Sequence, residues 1–231
     1  MNASRAIALL GLAALGGCGG AGPNEEVQLG AGATKAHRGV VVAALGDSIT
    51  AGSPLWDPDP GVRDTLGTGV DPESQYPYWA QLRLPNARFR NCGVYGERTD
   101  QIAQRLEHCA AGAQVLIVQG GINDIVQMRR VKTAARNLRG IVERGQKMGL
   151  RVALVEVLPW NNGYPGADHR IRRLNRMIGA MGRELHVPVY PWYHLLEDPS
   201  APGRMRPQLT EDGDHPSVEG YRRLARVVEL P

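Results

Sequence analysis

The chain has 231 residues, 42% of them hydrophobic and 22% charged, which suits one sizeable globular domain or two small ones and excludes disordered and fibrous classes. Twenty-seven Lys and Arg against 23 Asp and Glu leave a formal net charge of +4, too mild an excess to argue for nucleic acid or an anionic membrane. No apolar run reaches the roughly 18 residues of a membrane span, so membrane association has to come another way.

Residues 1–17 carry one positive charge at Arg5, an uncharged apolar stretch from Ala6 to Leu15, and then small residues, the layout of a secretory signal that does not belong to the fold. Leu15-Gly16-Gly17-Cys18 resembles the bacterial lipobox, which implies lipid modification at Cys18 and a mature chain beginning there. The competing reading is an ordinary signal peptide with a chance Cys. Residues 18–38 have no apolar period and read as a flexible tether; a single folded body is expected over 39–231. With Cys18 set aside, Cys92 and Cys109 are either a disulfide in an oxidising compartment or two buried thiols.

Val40 to Leu45 is a short Val/Ala-rich run closed by Gly46, as for a strand buried on both faces. A weaker strand is expected at Ala87 to Asn91, and further runs lie at Val115 to Val118, Val152 to Val157 and Val187 to Tyr190. Helical stripes fall between and after them: Ile102, Leu106 and Cys109; Val131 to Gly145; Ile171 to Leu185; Val218 to Val228. Their Arg-rich faces read as solvated exteriors rather than a binding patch. Strands alternating with helices predict a three-layer α/β/α domain around a mostly parallel sheet.

Ligands of such sheets bind beyond the carboxyl ends of the strands, so the loops there are informative. They are rich in Gly, Ser and Asn: Gly46-Asp47-Ser48-Ile49-Thr50, Gly93-Val94-Tyr95-Gly96, Gly120-Gly121-Ile122-Asn123-Asp124 and Pro159-Trp160-Asn161-Asn162-Gly163. Ser48 at the first strand tip is a candidate nucleophile, although Ser and Asp are also ordinary capping residues. His215, just before the last helical stripe and three residues after Asp212, is a candidate base with a carboxylate to orient it. The bland reading of the same segment is a helix-entry turn with Ser217 as N-cap, and both can hold. Asp57-x-Asp59 and Asp212-x-Asp214 lack the Gly and distal Glu of a calcium loop and read as turns.

Gly46-Asp47-Ser48-Ile49, Gly96, Gly121-Ile122-Asn123-Asp124 and Asp212-x-x-His215, in that order, resemble the four blocks of the SGNH, or GDSL-type, hydrolase superfamily over residues 40–230. The resemblance implies a flavodoxin-like α/β/α fold and a serine esterase needing no metal or cofactor. It implies Ser48 as nucleophile, His215 as base and Asp212 as its orienter. The oxyanion hole would be the Ser48 and Gly96 backbone N–H groups with the Asn123 amide. Gly96 is preferred to Gly93 because it precedes the acidic-x-Thr of Glu97-Arg98-Thr99, and Asp47 and Asp124 are read as loop scaffolds.

The substrate is less legible. Ser53 to Gln75 is a Pro- and Gly-rich stretch, either a functional loop beside the nucleophile or a surface excursion. Trp56, Tyr76 and Trp160 are candidate substrate-lining aromatics. The first expectation is a lysophospholipase-like or arylesterase-like enzyme on acyl esters or thioesters. The alternatives are an O-acetylesterase or acetyltransferase acting on envelope glycan, and a noncatalytic envelope lipoprotein using the fold as a binding module. Expected partners are a small ester, lysolipid or acylated glycan, and a membrane through the lipid anchor. The expected location is the bacterial cell envelope, or outside the cell if Cys18 is not acylated.

Overall fold

The computed structural model describes residues 39–231; the leader, Cys18 and the tether lie outside the described residues. In chain order its elements are β1 (Val40–Gly46), α1 (Ser48–Ala51), α2 (Pro60–Leu66), α3 (Tyr76–Arg83), β2 (Ala87–Gly93), α4 (Thr99–Gln104), α5 (Leu106–Ala110), β3 (Val115–Val118) and α6 (Ile122–Val126). There follow α7 (Val131–Lys147), β4 (Arg151–Val155), α8 (Ala167–Glu184), β5 (Val189–Tyr190), α9 (Trp192–Leu196), β6 (Glu197–Asp198), β7 (Ala201–Met205) and α10 (Val218–Ala225).

Strands β1 to β5 form one parallel sheet in the order β2-β1-β3-β4-β5. The alternation of side chains along a strand divides the core in two. On β1, Ala43 and Leu45 face a cluster completed by α4, α5, α7 and α8, while Val42 and Ala44 face one completed by α3, α9 and α10. Helix α7 buries Val131, Ala134, Leu138, Ile141 and Val142, and burying such side chains stabilises by about 1.5–3 kcal/mol for each large one. The expected three-layer α/β/α architecture is therefore present.

Several boundaries differ from the sequence expectation. Strand β5 keeps only Val189–Tyr190, at the sheet edge, and the stripe from Ile102 to Cys109 splits into α4 and α5 at Arg105. Strands β6 and β7 pair antiparallel in a separate hairpin whose short polar sequence carries little periodic signal. The Ser53–Gln75 stretch contains α2, N-capped by the Asp59 side chain. Cys92 at the end of β2 and Cys109 in α5 are joined by a disulfide. It closes a loop across 17 residues, and loops of that size gain about 3 kcal/mol from the crosslink.

Candidate active site

The end of β1 is shaped by a close approach. A Cβ on Gly93 would lie 2.0 Å from the Ala51 backbone N, so only glycine lets β2 run beside α1. The turn into α1 is capped by Asp47, whose Oδ1 accepts from the Ile49 N–H at 3.0 Å. Gln119, just beyond β3, accepts through Oε1 from the Asp47 N–H at 3.0 Å and the Thr50 hydroxyl at 2.9 Å. Asn91 donates to the Ala51 carbonyl at 3.0 Å and to Gln75 Oε1 at 2.9 Å. Three elements thus hold the four-residue helix that begins at Ser48.

His215 arrives from the far end of the chain on a loop that Asp212 builds. Asp212 Oδ1 accepts from the Asp214 and His215 N–H groups at 2.8 and 2.7 Å, and its Oδ2 meets His215 Nδ1 at 2.7 Å. The opposite ring nitrogen, Nε2, lies 3.1 Å from Ser48 Oγ. Burial alone would raise the Asp212 pKa. The hydrogen bonds from the His215 ring and the two N–H groups outweigh it and hold the carboxyl below its usual range. A charged Asp212 fixes the tautomer with the proton on Nδ1 and leaves Nε2 free to accept the Ser48 proton. Both Ser48 and His215 are buried.

Asp214, the other acidic neighbour, is occupied elsewhere. Its Oδ1 accepts from Trp160 Nε1 at 2.6 Å and Asn162 Nδ2 at 2.7 Å. The spacing implied by the resemblance thus agrees with the geometry, because only Asp212 meets the ring. Ser217 also caps α10, accepting from the Gly220 N–H, so the helix-entry turn is present in the same segment that brings Asp212 and His215 together.

The three donors implied for an oxyanion line one cleft with Ser48 and His215. Among the described residues the Ser48 and Gly96 backbone N–H groups meet no acceptor. Gly96 has φ +75°, a conformation that glycine adopts without strain. The Asn123 amide donates to the Glu97 carbonyl at 3.0 Å, which orients it and leaves its second hydrogen for a ligand. Arg105, absent from the sequence expectations, ties this loop to the sheet. It donates to the Cys92 and Gly46 carbonyls at 2.8 and 3.0 Å and pairs with Glu97 at 2.6 Å. An isolated Arg between two helices gives no sequence signal of such a role.

The aromatic expectations divide. Trp160 lines the cleft. Tyr76 does not: it is wholly buried and packs edge-on against Trp192, ring centroids 4.8 Å apart, because its place at the start of α3 points it into the core. Trp56 is not in the cleft either; its ring lies under the Arg63 guanidinium at 4.7 Å. The Ser53–Gln75 stretch contributes no residue to the cleft wall, which is lined instead by Ile49, Tyr95, Ile122, Val126 and Asp214. The Tyr95 ring sits 6.0 Å from that of His215.

Asp47 and Asp124 hold loops. Asp124 accepts from the Thr99 N–H at 2.9 Å and the Thr99 hydroxyl at 3.0 Å, and burial raises its pKa. Asp47 is fully buried with Oδ2 unpaired. Burial pushes its carboxyl from 3.8 up to about 6, against the opposing pull of the Ile49 N–H. The folded chain therefore keeps a proton that the unfolded chain has released. This group's contribution to stability is complete below about pH 4 and is lost as pH rises through about 6. Asp47→Asn is expected to remove that fall, worth about 3 kcal/mol between pH 4 and 7. Urea unfolding of both proteins across that range checks it, and parallel stability curves would contradict it.

The GDSL-like lipase/acylhydrolase family model matches residues 44–223. Among solved structures, a GDSL-like lipase from Bacteroides thetaiotaomicron VPI-5482 superposes with TM-score 0.63 at 21% identity, over 81% of this chain and 84% of that one. A member of the lipolytic protein G-D-S-L family from Veillonella parvula DSM 2008 gives 0.63 at 20%, over 81% and 94%. The psychrotrophic esterase EstA from a Pseudoalteromonas species gives 0.60 at 15%, over 80% and 92%. At these identities the structural likeness establishes a shared fold. No curated protein matches the chain.

Proposed function

The chain belongs to the GDSL-like lipase/acylhydrolase family, hydrolases of ester bonds, and we propose that it is a serine esterase working through an acyl-enzyme on short acyl groups. The observation that carries this reading is the continuous chain Asp212 Oδ2, His215 Nδ1, His215 Nε2, Ser48 Oγ, at 2.7 and 3.1 Å.

In this reading His215 Nε2 takes the Ser48 proton as Oγ attacks the ester carbonyl. The oxyanion is received by the Ser48 and Gly96 N–H groups and the Asn123 amide, donors of a kind worth about 2.7–4 kcal/mol each. His215 then gives the proton to the leaving alkoxide and afterwards activates the water that frees the acid. Asp212 stays ionised throughout and steadies the imidazolium.

The size of the cleft favours the acyl class. The cleft beside Ser48 is small, ≈ 140 Å³, well below the roughly 300–1,000 Å³ of a pocket that encloses a drug-sized ligand. That admits an acetyl to butyryl group; the remainder of a lysolipid acyl chain would have to lie outside. The same volume favours an acetyl ester on a glycan as the second reading. A nitrophenyl ester series is expected to show kcat/KM highest at two to four acyl carbons and at least tenfold lower at eight. Ser48→Ala is expected to lose roughly 10⁴-fold or more throughout while remaining folded. Rising kcat/KM toward long chains would overturn the short-acyl reading, and an active Ser48→Ala would overturn the serine mechanism.

Cys18 is read as the lipidated first residue of an envelope-bound protein, on the support of Leu15-Gly16-Gly17-Cys18. Mass spectrometry of the mature N-terminal peptide is expected to find acyl chains on Cys18. An unmodified N-terminus at another residue would replace this with a secreted esterase.

A further inference from the structure

The fold gathers onto one side what the composition spreads thin. Exposed large hydrophobic side chains among the described residues number seven, and four of them lie at the cleft or beside it: Tyr95 and Val126 line it, Val94 precedes Tyr95, and Met128 follows the end of α6. Met128 is 66% exposed with φ +58°, a left-handed conformation that is uncommon for a side chain of this kind. Met128 is the left-handed residue that ends α6, with the Arg129 N–H on the Asp124 carbonyl at 2.7 Å and the Met128 N–H on the Ile125 carbonyl at 3.0 Å, so the helix stop fixes where this exposed side chain stands.

Cations stand immediately behind these side chains. Helices α7 and α8 both start at the carboxyl edge of the sheet, and segments 127–136 and 166–173 carry seven Lys and Arg against one carboxylate, Asp168. Asp168 is already paired with Arg172 at 2.8 Å. Arg130, Lys132 and Arg173 form no ion pair among the described residues, while the Asp100 carboxyl is held below its usual range by its hydrogen bond to Arg98 and, to a lesser degree, by the nearby Arg129. Arg170 joins the two groups: it donates to the Met128 sulfur at 3.4 Å, to the Tyr164 hydroxyl at 2.6 Å and to the Arg129 carbonyl. Between α7 and α8, Arg130, Lys132 and Arg136 rim a groove of ≈ 460 Å³ floored by Met177 and Met181.

Apolar side chains held in solvent and backed by unpaired cations match a bilayer with anionic headgroups: the first enter the interface and the second meet phosphate. We propose that this rim is a docking face for anionic membranes that turns the mouth of the cleft toward the lipid surface. The 20 residues between Cys18 and Gly39 can span at most about 70 Å. That is ample for a body anchored beside the start of β1 to swing its opposite end onto the same membrane. The proposal rests on the esterase reading only for what the cleft would meet, short acyl esters presented at the membrane surface; docking itself needs no turnover and is measured separately.

The test uses the full chain carrying Cys18→Ser, so that neither a second thiol nor an acyl anchor contributes, with a nitrobenzoxadiazole label at Met128→Cys, and a second copy labelled at Leu82→Cys, at the opposite end of the sheet. Each is titrated with vesicles of phosphatidylcholine alone and of phosphatidylcholine with phosphatidylglycerol at seven to three. The Met128 label is expected to brighten and shift blue only with phosphatidylglycerol, reversibly in high salt, while the Leu82 label stays unchanged. Arg129→Glu, Arg130→Glu and Lys132→Glu together are expected to weaken that response on the order of 100-fold, with hydrolysis of a soluble ester as the check on folding. A Met128 label indifferent to phosphatidylglycerol, or responding equally in the charge-reversed chain, would overturn the proposal. So would capture by the polyanion heparin without any vesicle response, which would assign the patch to an acidic polymer.

Discussion

Everything at the cleft depends on the rigidity of the few residues between β1 and α1. A serine at the tip of a strand is useful only if its oxygen cannot drift, and here the restraint comes from backbone contact and buried hydrogen bonds. Gly93 lets β2 press against the start of α1, Gln119 clamps the turn from β3, and Asn91 fastens its far side to Gln75. The central strands supply this order because they are buried on both faces, where an alternative packing would cost several kcal/mol per large side chain. Asp47 shows that the arrangement is not optimised for stability. A carboxyl is held in the interior with one oxygen unpaired, a cost tolerated where its other oxygen caps the helix carrying Ser48.

The second half of the site is built with less burial and more local hydrogen bonding. Asp212 spends one oxygen on two backbone N–H groups and the other on the His215 ring, so a single side chain both folds the loop and orients the imidazole. Asp214 serves the outside of the same loop by holding Trp160 and Asn162. The two halves meet across 167 residues at the 3.1 Å contact between His215 and Ser48. Arg105 and Asn123 keep the loop bearing Gly96 beside them.

Much of this was legible in the sequence for a physical reason. Strands buried on both faces must be continuous apolar runs, and Val115 to Val118 coincides with β3; residues that must sit at strand tips then follow directly after such runs. The aromatics were legible only in part, since Trp160 lines the cleft and the other two candidates do not. Tyr76 and Trp56 have compositions and neighbours like those of a cleft residue, and only the three-dimensional packing sends one into the core and the other beneath Arg63. Tyr95 carries no signal of its own in Gly93-Val94-Tyr95-Gly96, because a lone aromatic in a loop has no period that tells its direction. The choice between disulfide and thiols at Cys92 and Cys109 also needed the fold, since sequence separation does not fix distance. The basic helix faces look like ordinary solvated exteriors one helix at a time, and their asymmetry emerges only when α7 and α8 lie side by side.

The central claim is that His215, held by Asp212, makes Ser48 the one activated hydroxyl of the chain. Its most direct test is covalent: treat the protein with a fluorophosphonate ester, map the adduct by peptide mass spectrometry and repeat with His215→Ala. A single adduct on Ser48, with the labelling rate falling by on the order of 10³-fold or more without the imidazole, is the predicted result. An adduct on another residue, or labelling of Ser48 at an unchanged rate in His215→Ala, would contradict it.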